Sequence, residues 1–133
     1  MSARWDVLVV DDEPVVRDAV ARVLGAEGLR VTCVAGAAEA LAHPGLADCR
    51  LVICDLMLPG LPGLELMRAI RGRRPGLPIL AITGYATGEV AARAATAGAT
   101  LFLAKPFDHD ELLEKVRHVL GQTDVAGKKE ERP

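Results

Sequence analysis

Aromatic residues are scarce in this sequence: among 133 residues there are one Trp, one Tyr and two Phe. A core therefore has to be built from Val, Leu, Ile and Ala, and the position of each aromatic residue becomes informative. Apolar runs reach only strand length, far below the roughly 20 residues of a membrane-spanning helix. No basic start leads into an apolar stretch, as a secretory signal would require. We therefore expect no membrane partner.

Cysteine and excess charge are also lacking. The three cysteines, Cys33, Cys49 and Cys54, include no C-x-x-C pair, which argues against a disulfide framework or a zinc site and favours a reducing, cytoplasmic location. The net charge of −2 gives no broad electrostatic basis for binding nucleic acid. Hydrophobic residues make up 50% of the chain and charged residues 26%. This balance, at this length, is typical of one compact domain.

Short apolar runs alternate with amphipathic stretches along most of the chain. The runs show no polar–apolar alternation, as expected of strands that are covered on both faces. We predict strands at 7–10, 30–34, 51–54, 78–82 and 101–104, and helices at about 13–25, 38–41, 64–71 and 89–97, with a last helix capped by Asp108. Five strand–helix units imply a parallel sheet with helices on both faces.

The two ends of the chain differ from the rest in composition. We assign residues 1–4 to an N-terminal lead and residues 5–120 to a single domain. From Gly121 on, polar and small residues prevail, and the run at 128–132 mixes both signs of charge. Residues 121–133 are therefore predicted to be a flexible tail or a cut linker, without a role in binding nucleic acid.

Polar residues follow the predicted strands at their carboxyl ends, where doubly wound sheets bind ligands. They are Asp11, Asp12 and Glu13 after the first strand, Asp55 after the third, Thr83 after the fourth and Lys105 after the fifth. Crowded carboxylates repel each other unless a cation neutralises them, and an all-oxygen set suits Mg²⁺. A carboxylate nucleophile, a divalent metal, an ammonium and a hydroxyl together match phosphoryl transfer.

Four segments resemble the receiver domains of two-component response regulators. They read Val-Leu-Val-Val-Asp-Asp-Glu-Pro at 7–14, Asp-Leu-Met-Leu-Pro-Gly-Leu-Pro-Gly-Leu-Glu-Leu at 55–66, Ile-Thr-Gly-Tyr at 82–85, and Leu-Ala-Lys-Pro-Phe at 103–107. Their order and placement are far more specific than any one motif, and the resemblance covers about residues 5–120. It implies a flavodoxin-like α/β fold, a doubly wound five-stranded parallel sheet with strand order 2-1-3-4-5.

The resemblance also assigns a phosphoacceptor and a metal site. It implies that Asp55 takes the phosphoryl group and that Asp12 is the main Mg²⁺ ligand. Asp11 would shape the site through water, and the backbone carbonyl of Met57 would supply a further ligand. Pro62 departs from the family pattern, in which Asp is common, and we expect a stiffer loop with unchanged chemistry.

Further residues are implied to bind the phosphoryl group and to pass on the change. Thr83 and Lys105 would bind the phosphoryl oxygens, and the Lys105–Pro106 bond would be cis. Phe102 and Tyr85 would act with Thr83 as a switch. Simpler roles stay open at this point: the first two acids as helix caps, Thr83 as the start of a turn, and Phe102 as ordinary core.

The function implied is that of a signalling switch. It would receive phosphate from a sensor histidine kinase or a histidine phosphotransfer protein, and it would catalyse only its own phosphorylation and dephosphorylation. An output partner or a second copy would dock on the face of the fourth helix, fifth strand and fifth helix.

Three other functions fit the sequence less well. An aspartyl-phosphate phosphatase would need a second acid two residues after Asp55, where Met57 stands. A nucleotide-binding domain would need a G-x-G-x-x-G or G-x-x-x-x-G-K-[ST] motif, and neither is present. The complete set of acids, Thr83 and Lys105 argues against a degenerate receiver that only binds partners.

Overall fold

A computed structural model describes residues 5–58 and 60–131 of the chain, with side chains up to residue 121. The predicted lead at 1–4 lies outside the described residues. Strands and α-helices alternate throughout. Their bounds are β1 Val7–Val10, α1 Pro14–Gly25, β2 Val31–Val34, α2 Ala37–Ala42, β3 Leu51–Asp55, α3 Gly63–Arg73, β4 Ile79–Thr83, α4 Gly88–Ala97, β5 Leu101–Ala104 and α5 His109–Glu131.

The strands form one five-stranded sheet in the order β2-β1-β3-β4-β5, and all neighbouring strands are parallel. The register places Val10 beside Cys54, Asp55 beside Ile82 and Thr83 beside Ala104. Because the strands are parallel and in register, their carboxyl ends meet at one edge. The predicted fold class and strand order are confirmed.

Alternate strand residues contribute to two separate cores, one on each face of the sheet. On one face, Val52 and Cys54 of β3 belong to a core with α2, α3 and α4. On the other face, Ile53 belongs to a core with α1 and α5. Every residue of β1, β3 and β4 is buried. The absence of polar alternation in these runs therefore reflects burial on both faces.

Two helices that flank the site differ in how much apolar surface they bury. α1 begins with Pro14, whose missing N–H costs nothing at a helix start, and it buries Val20, Val23 and Leu24. In α4 the buried residues are only Ala94 and Ala97. Since hydrophobic stabilisation grows with the apolar area removed from water, α4 is held less firmly by packing than α1.

The structure differs from the sequence prediction in local detail. A 3₁₀ turn at Pro44–Ala47 was not predicted, and the ring of His43 caps it by accepting the Gly45 N–H at 2.8 Å. The predicted cap of α5 is confirmed, because the Asp108 carboxylate accepts the Glu111 N–H and the Glu111 carboxylate accepts the Asp108 N–H. α5 continues to Glu131, through residues whose composition predicts a tail. Among the described helices, none is long and apolar enough to cross a membrane.

An ionic cluster ties the strands together at the edge opposite their carboxyl ends. Asp6 is buried just before β1. Its carboxylate accepts the backbone N–H of Arg30 at 2.8 Å and pairs with the guanidinium groups of Arg30 and Arg50 at 3.4 and 3.5 Å. Burial by itself would raise the pKa of Asp6. The hydrogen bonds and charges of Arg30 and Arg50 outweigh burial and lower this pKa below its ordinary value. The cluster thus joins β1 to the residues that precede β2 and β3.

Replacing Asp6 by Ala should lower the free energy of unfolding by about 2 kcal/mol at neutral pH, because a charged acceptor of several hydrogen bonds is lost. The folded-state pKa is lowered, so this contribution is present at neutral pH and declines as the pH falls below the ordinary value of 3.8. Urea unfolding of both proteins at several pH values measures the difference. Asp18→Ala, which removes an exposed acid, should change stability by less than about 0.5 kcal/mol. A difference between Asp6→Ala and wild type that grows toward low pH would contradict the assignment.

Candidate functional site

The carboxyl ends of β1, β3 and β5 bring together the charged residues that the sequence singled out. An open depression at this edge is lined by two kinds of side chain. Asp12, Glu13, Asp55 and Lys105 are charged, whereas Val15, Val16, Ala19, Met57, Tyr85, Pro106 and Phe107 are apolar or aromatic. Asp11 is fully buried beneath these acids. The site therefore combines a charged floor with an apolar wall that includes the first turns of α1.

Lys105 is the cation at the centre of the site. Its ammonium donates hydrogen bonds to Glu13 Oε1 at 2.7 Å and to Asp55 Oδ2 at 3.0 Å, and it lies 3.0 Å from Asp11 Oδ2. Burial disfavours the charge, but the surrounding carboxylates outweigh burial and raise the pKa of Lys105 above its usual value. The side chain is therefore a permanent positive charge at neutral pH.

Asp11 is the most deeply buried carboxylate of the site. Its Oδ1 accepts the Glu13 N–H at 2.8 Å. Its Oδ2 is buried and, among the described residues, accepts no well-aligned hydrogen bond, although the ion pair with Lys105 is close. Burial is the main cause that raises the pKa of Asp11 above the ordinary value, with a contribution from Asp55. An oxygen in this state has a lone pair free for a cation.

The arrangement of the acids fits a hard divalent cation. Asp11, Asp12 and Asp55 each offer a carboxylate oxygen, and these three oxygens lie within 4.8 Å of one another. Such all-oxygen sets are preferred by Mg²⁺ and Ca²⁺ over softer metals. The exposed carboxylate of Asp12 would approach the ion from the solvent side.

The β3–α3 loop fixes the position of Asp55. The carboxylate is buried, and its Oδ1 accepts the Met57 N–H at 2.9 Å. Gly63 packs directly beneath the loop, where a Cβ would approach Leu56 Cα to 2.6 Å and overlap the Asp55 carbonyl oxygen. Only glycine therefore allows α3 to begin at this distance from the site. The Met57 side chain is exposed.

The predicted switch residues lie around the site without forming one cluster. Thr83 is fully buried, and its hydroxyl oxygen accepts the Tyr85 N–H at 3.0 Å. Tyr85 and Phe107 line the depression, whereas the partly buried Phe102 packs against the core beneath α4. The Lys105–Pro106 peptide is cis, as the resemblance implies.

Two features of the site were missed at the level of sequence. The sequence pattern indicates no role for Glu13 beyond its place among the acids, and the structure pairs it with Lys105. Val15 is 79% exposed on the first turn of α1 and forms part of the apolar wall. The signal in the sequence was the Val directly after Pro14. The first turn of a helix is usually solvated and carries polar residues, so an apolar residue is unusual there.

Comparison with known proteins agrees with this geometry. Residues 7–117 match the model of the response regulator receiver domain family. The probable transcriptional regulatory protein TcrX of Mycobacterium tuberculosis is 35% identical over 90% of this chain and 51% of its own length. FixJ of Bradyrhizobium diazoefficiens, a transcriptional regulatory protein, is 34% identical over 98% of this chain and 63% of its own length. A receiver domain from Methanospirillum hungatei superposes with a TM-score of 0.84 at 32% identity, covering 92% of this chain and 98% of that one.

The fold, the acidic cluster and these matches define a class of protein domain, the signalling switch. The chain belongs to the response regulator receiver domain family, whose members are the phosphoacceptor switches of two-component systems. It spans about half to two thirds of the length of the two regulators compared above.

Replacing Lys105 by Met should destabilise the metal-free protein by about 2 kcal/mol at pH 7, because two buried carboxylates lose their counter-charge. Without that charge the folded-state pKa of Asp11, which burial already raises, rises further. The loss is therefore complete at neutral pH and declines at acidic pH, as Asp11 becomes protonated. Urea unfolding in the presence of a chelator measures it, with Lys115→Met on α5 as the matched control. A loss of equal size at neutral and acidic pH would show that Lys105 contributes through packing and not through charge.

Proposed function

We propose that Asp55 is the phosphoacceptor of this receiver domain. The observation that carries the proposal is the pairing of a buried carboxylate with the Lys105 ammonium at 3.0 Å, at the floor of an open depression. Asp55 is the only member of the acidic cluster that is both buried and part of the depression lining. It is therefore within reach of a donor while its surroundings exclude most water.

Mg²⁺ is the proposed cofactor, held by Asp12 and Asp55 with the backbone carbonyl of Met57, and by Asp11 directly or through water. The buried Asp11 oxygen without a hydrogen bond supports this assignment. When bound, the ion neutralises the acids and the oxygens of the transferring phosphoryl group. Without a cation, the mutual repulsion of the acids opposes the approach of an anionic donor.

The chain's own residues supply the remaining parts of the chemistry. An oxygen of Asp55 attacks phosphorus, the bond from phosphorus to the donor's histidine nitrogen breaks, and the released imidazole takes up a proton. Lys105 and Thr83 stabilise the oxygens of the group on Asp55, the first by charge and the second by its hydroxyl. Hydrolysis by water later restores the free carboxylate. Both steps are self-modification.

The proposed donor is a sensor histidine kinase or a histidine phosphotransfer protein. The apolar wall of the depression, formed by Val15, Val16 and Phe107 among others, supports docking of a protein partner beside Asp55. Since the related transcriptional regulators are longer than this chain, the output is proposed to lie in a further region or a separate protein. Three free cysteines favour a reducing, cytoplasmic setting.

The signal is proposed to leave through Thr83 and α4. A phosphoryl group on Asp55 offers the Thr83 hydroxyl a charge-assisted hydrogen bond, and such bonds contribute about 1.5–3 kcal/mol. That is enough to shift a two-state arrangement whose states differ by a few kcal/mol. Inward movement of Thr83 gives Phe102 room beneath α4, and Tyr85, joined to Thr83 by its N–H, moves with it. The face of α4, β5 and α5 is the proposed docking surface for an output partner or a second copy.

Acetyl phosphate should label the protein once, with Mg²⁺ required. Asp55→Asn should abolish labelling, because the amide is not a nucleophile toward phosphorus. Intact-mass spectrometry counts the phosphates. Asp12→Ala should raise the Mg²⁺ concentration needed for half-maximal labelling by at least about tenfold.

Asp48→Asn, at the far edge of the sheet, serves as the control and should label as wild type does. Stoichiometric labelling of Asp55→Asn would overturn the phosphoacceptor assignment. An unchanged Mg²⁺ requirement in Asp12→Ala would show that Asp12 is not a ligand of the metal.

Beryllofluoride, which mimics the phosphoryl group on aspartate, should change amide hydrogen exchange mainly across residues 83–107. Little change is expected along α1 beyond its first turn, because Val20, Val23 and Leu24 anchor it in the core. Thr83→Ala should lose most of the response in α4. Thr96→Ala, which removes an exposed hydroxyl from the same helix, should respond as wild type does. An equal response in α1 and α4 would show that the signal takes another route.

A further inference from the structure

Lys105 is shared by three carboxylates that differ in their access to water. The side chains of Asp11 and Asp55 are 0% and 4% exposed, whereas that of Glu13 is 59% exposed. Glu13 nevertheless makes the shortest of the three contacts, 2.7 Å against 3.0 Å for the other two. It reaches the ammonium from the solvent side and lines the same depression as Asp55.

Phosphorylation changes the demand on this ammonium. A lysine ammonium has three N–H donors, and in the resting protein Glu13 and Asp55 each accept one of them. A phosphoryl group on Asp55 brings three strong acceptor oxygens, and it carries close to two negative charges in place of the single charge of the free carboxylate. These oxygens compete with Glu13 for the same donors, and the carboxylate of Glu13 repels their charge.

We infer that Glu13 is a positioning residue, which holds the Lys105 ammonium in the resting protein and thereby slows phosphorylation of Asp55. The inference rests on the function proposed above. Glu13 stabilises the starting state through its ion pair with Lys105, and it is repelled by the product. Removing its charge while keeping its shape should therefore free Lys105 for the incoming group.

The effect on the rate should be modest, because the pair is partly exposed and water screens it. Exposed ion pairs contribute at most about 1 kcal/mol, so Glu13→Gln should raise the second-order rate constant of labelling by acetyl phosphate about three- to fivefold. The chain offers a matched control, an acidic residue in a second exposed ion pair. Glu27, just beyond the end of α1, pairs with Arg117 at the same distance of 2.7 Å. Glu27→Gln should leave the rate unchanged.

A double-mutant cycle separates positioning of Lys105 from a general effect of charge on an anionic donor. Labelling rates are measured by intact-mass spectrometry, at saturating Mg²⁺, for wild type, Glu13→Gln, Lys105→Ala and the double variant. If Glu13 acts through Lys105, its replacement should have no effect in the Lys105→Ala background. If Glu13 merely repels the donor, the same increase should persist there, and the inference would be wrong.

A spectroscopic measurement tests the resting contact without any phosphorylation. In ¹³C–¹H spectra of the unmodified protein, Glu13→Gln should shift the Lys105 ε-methylene signal, whereas Glu27→Gln should not. An unshifted signal, or a labelling rate in Glu13→Gln no higher than that of wild type, would overturn the inference. Failure of the proposed function looks different: wild type would not label at all, or Asp55→Asn would label as well.

Discussion

One lysine ammonium balances the carboxylates at the carboxyl edge of the sheet, and the site depends on this balance. Asp11 and Asp55 are buried, and burial of two carboxylates this close together is tolerated only with a cation between them. Lys105 meets that need in the resting state but leaves Asp11 Oδ2 without a hydrogen bond. Three carboxylates around one ammonium leave net negative charge at this edge, and the close oxygens of Asp11, Asp12 and Asp55 are compatible with a second cation.

The fold forces these charges together. Parallel strands β1, β3 and β5 all end at one edge, so the residue that follows each buried strand is delivered to the same place. β1, β3 and β4 contain no polar residue before Asp55 and Thr83, because both faces of the sheet are covered by helices. Polar chemistry is thereby confined to the strand ends. Gly63 then lets the start of α3 approach the loop after β3, which keeps the Asp55 carboxylate buried while its neighbours remain open to solvent.

The sequence predicted those features of the fold that depend on hydrophobic periodicity and on the order of motifs along the chain. The apolar runs located all five strands within a residue or so, and the strand–helix alternation with the four motifs led to the correct sheet order. Contacts between distant side chains were not predictable in this way. Glu13 and Lys105 lie 92 positions apart, and nothing in the local pattern of either residue indicates that they meet. The cluster of Asp6 with Arg30 and Arg50 was missed for the same reason, since such pairs depend on rotamers and register.

The two ends of α4 are held differently, and this difference affects how a conformational change at the site could reach the helix. Its C-terminal end is fixed: Gly98 caps the helix with a φ of 117°, and the Arg71 guanidinium donates to the Gly98 carbonyl and to the carbonyls of Arg74, Pro75 and Leu77. Its N-terminal end has the Thr87 cap, and residues 84–89 before and within the first turn are exposed. Thr83 is attached to this second end through Tyr85. A displacement that began at Thr83 would therefore enter α4 at the end that is held less firmly.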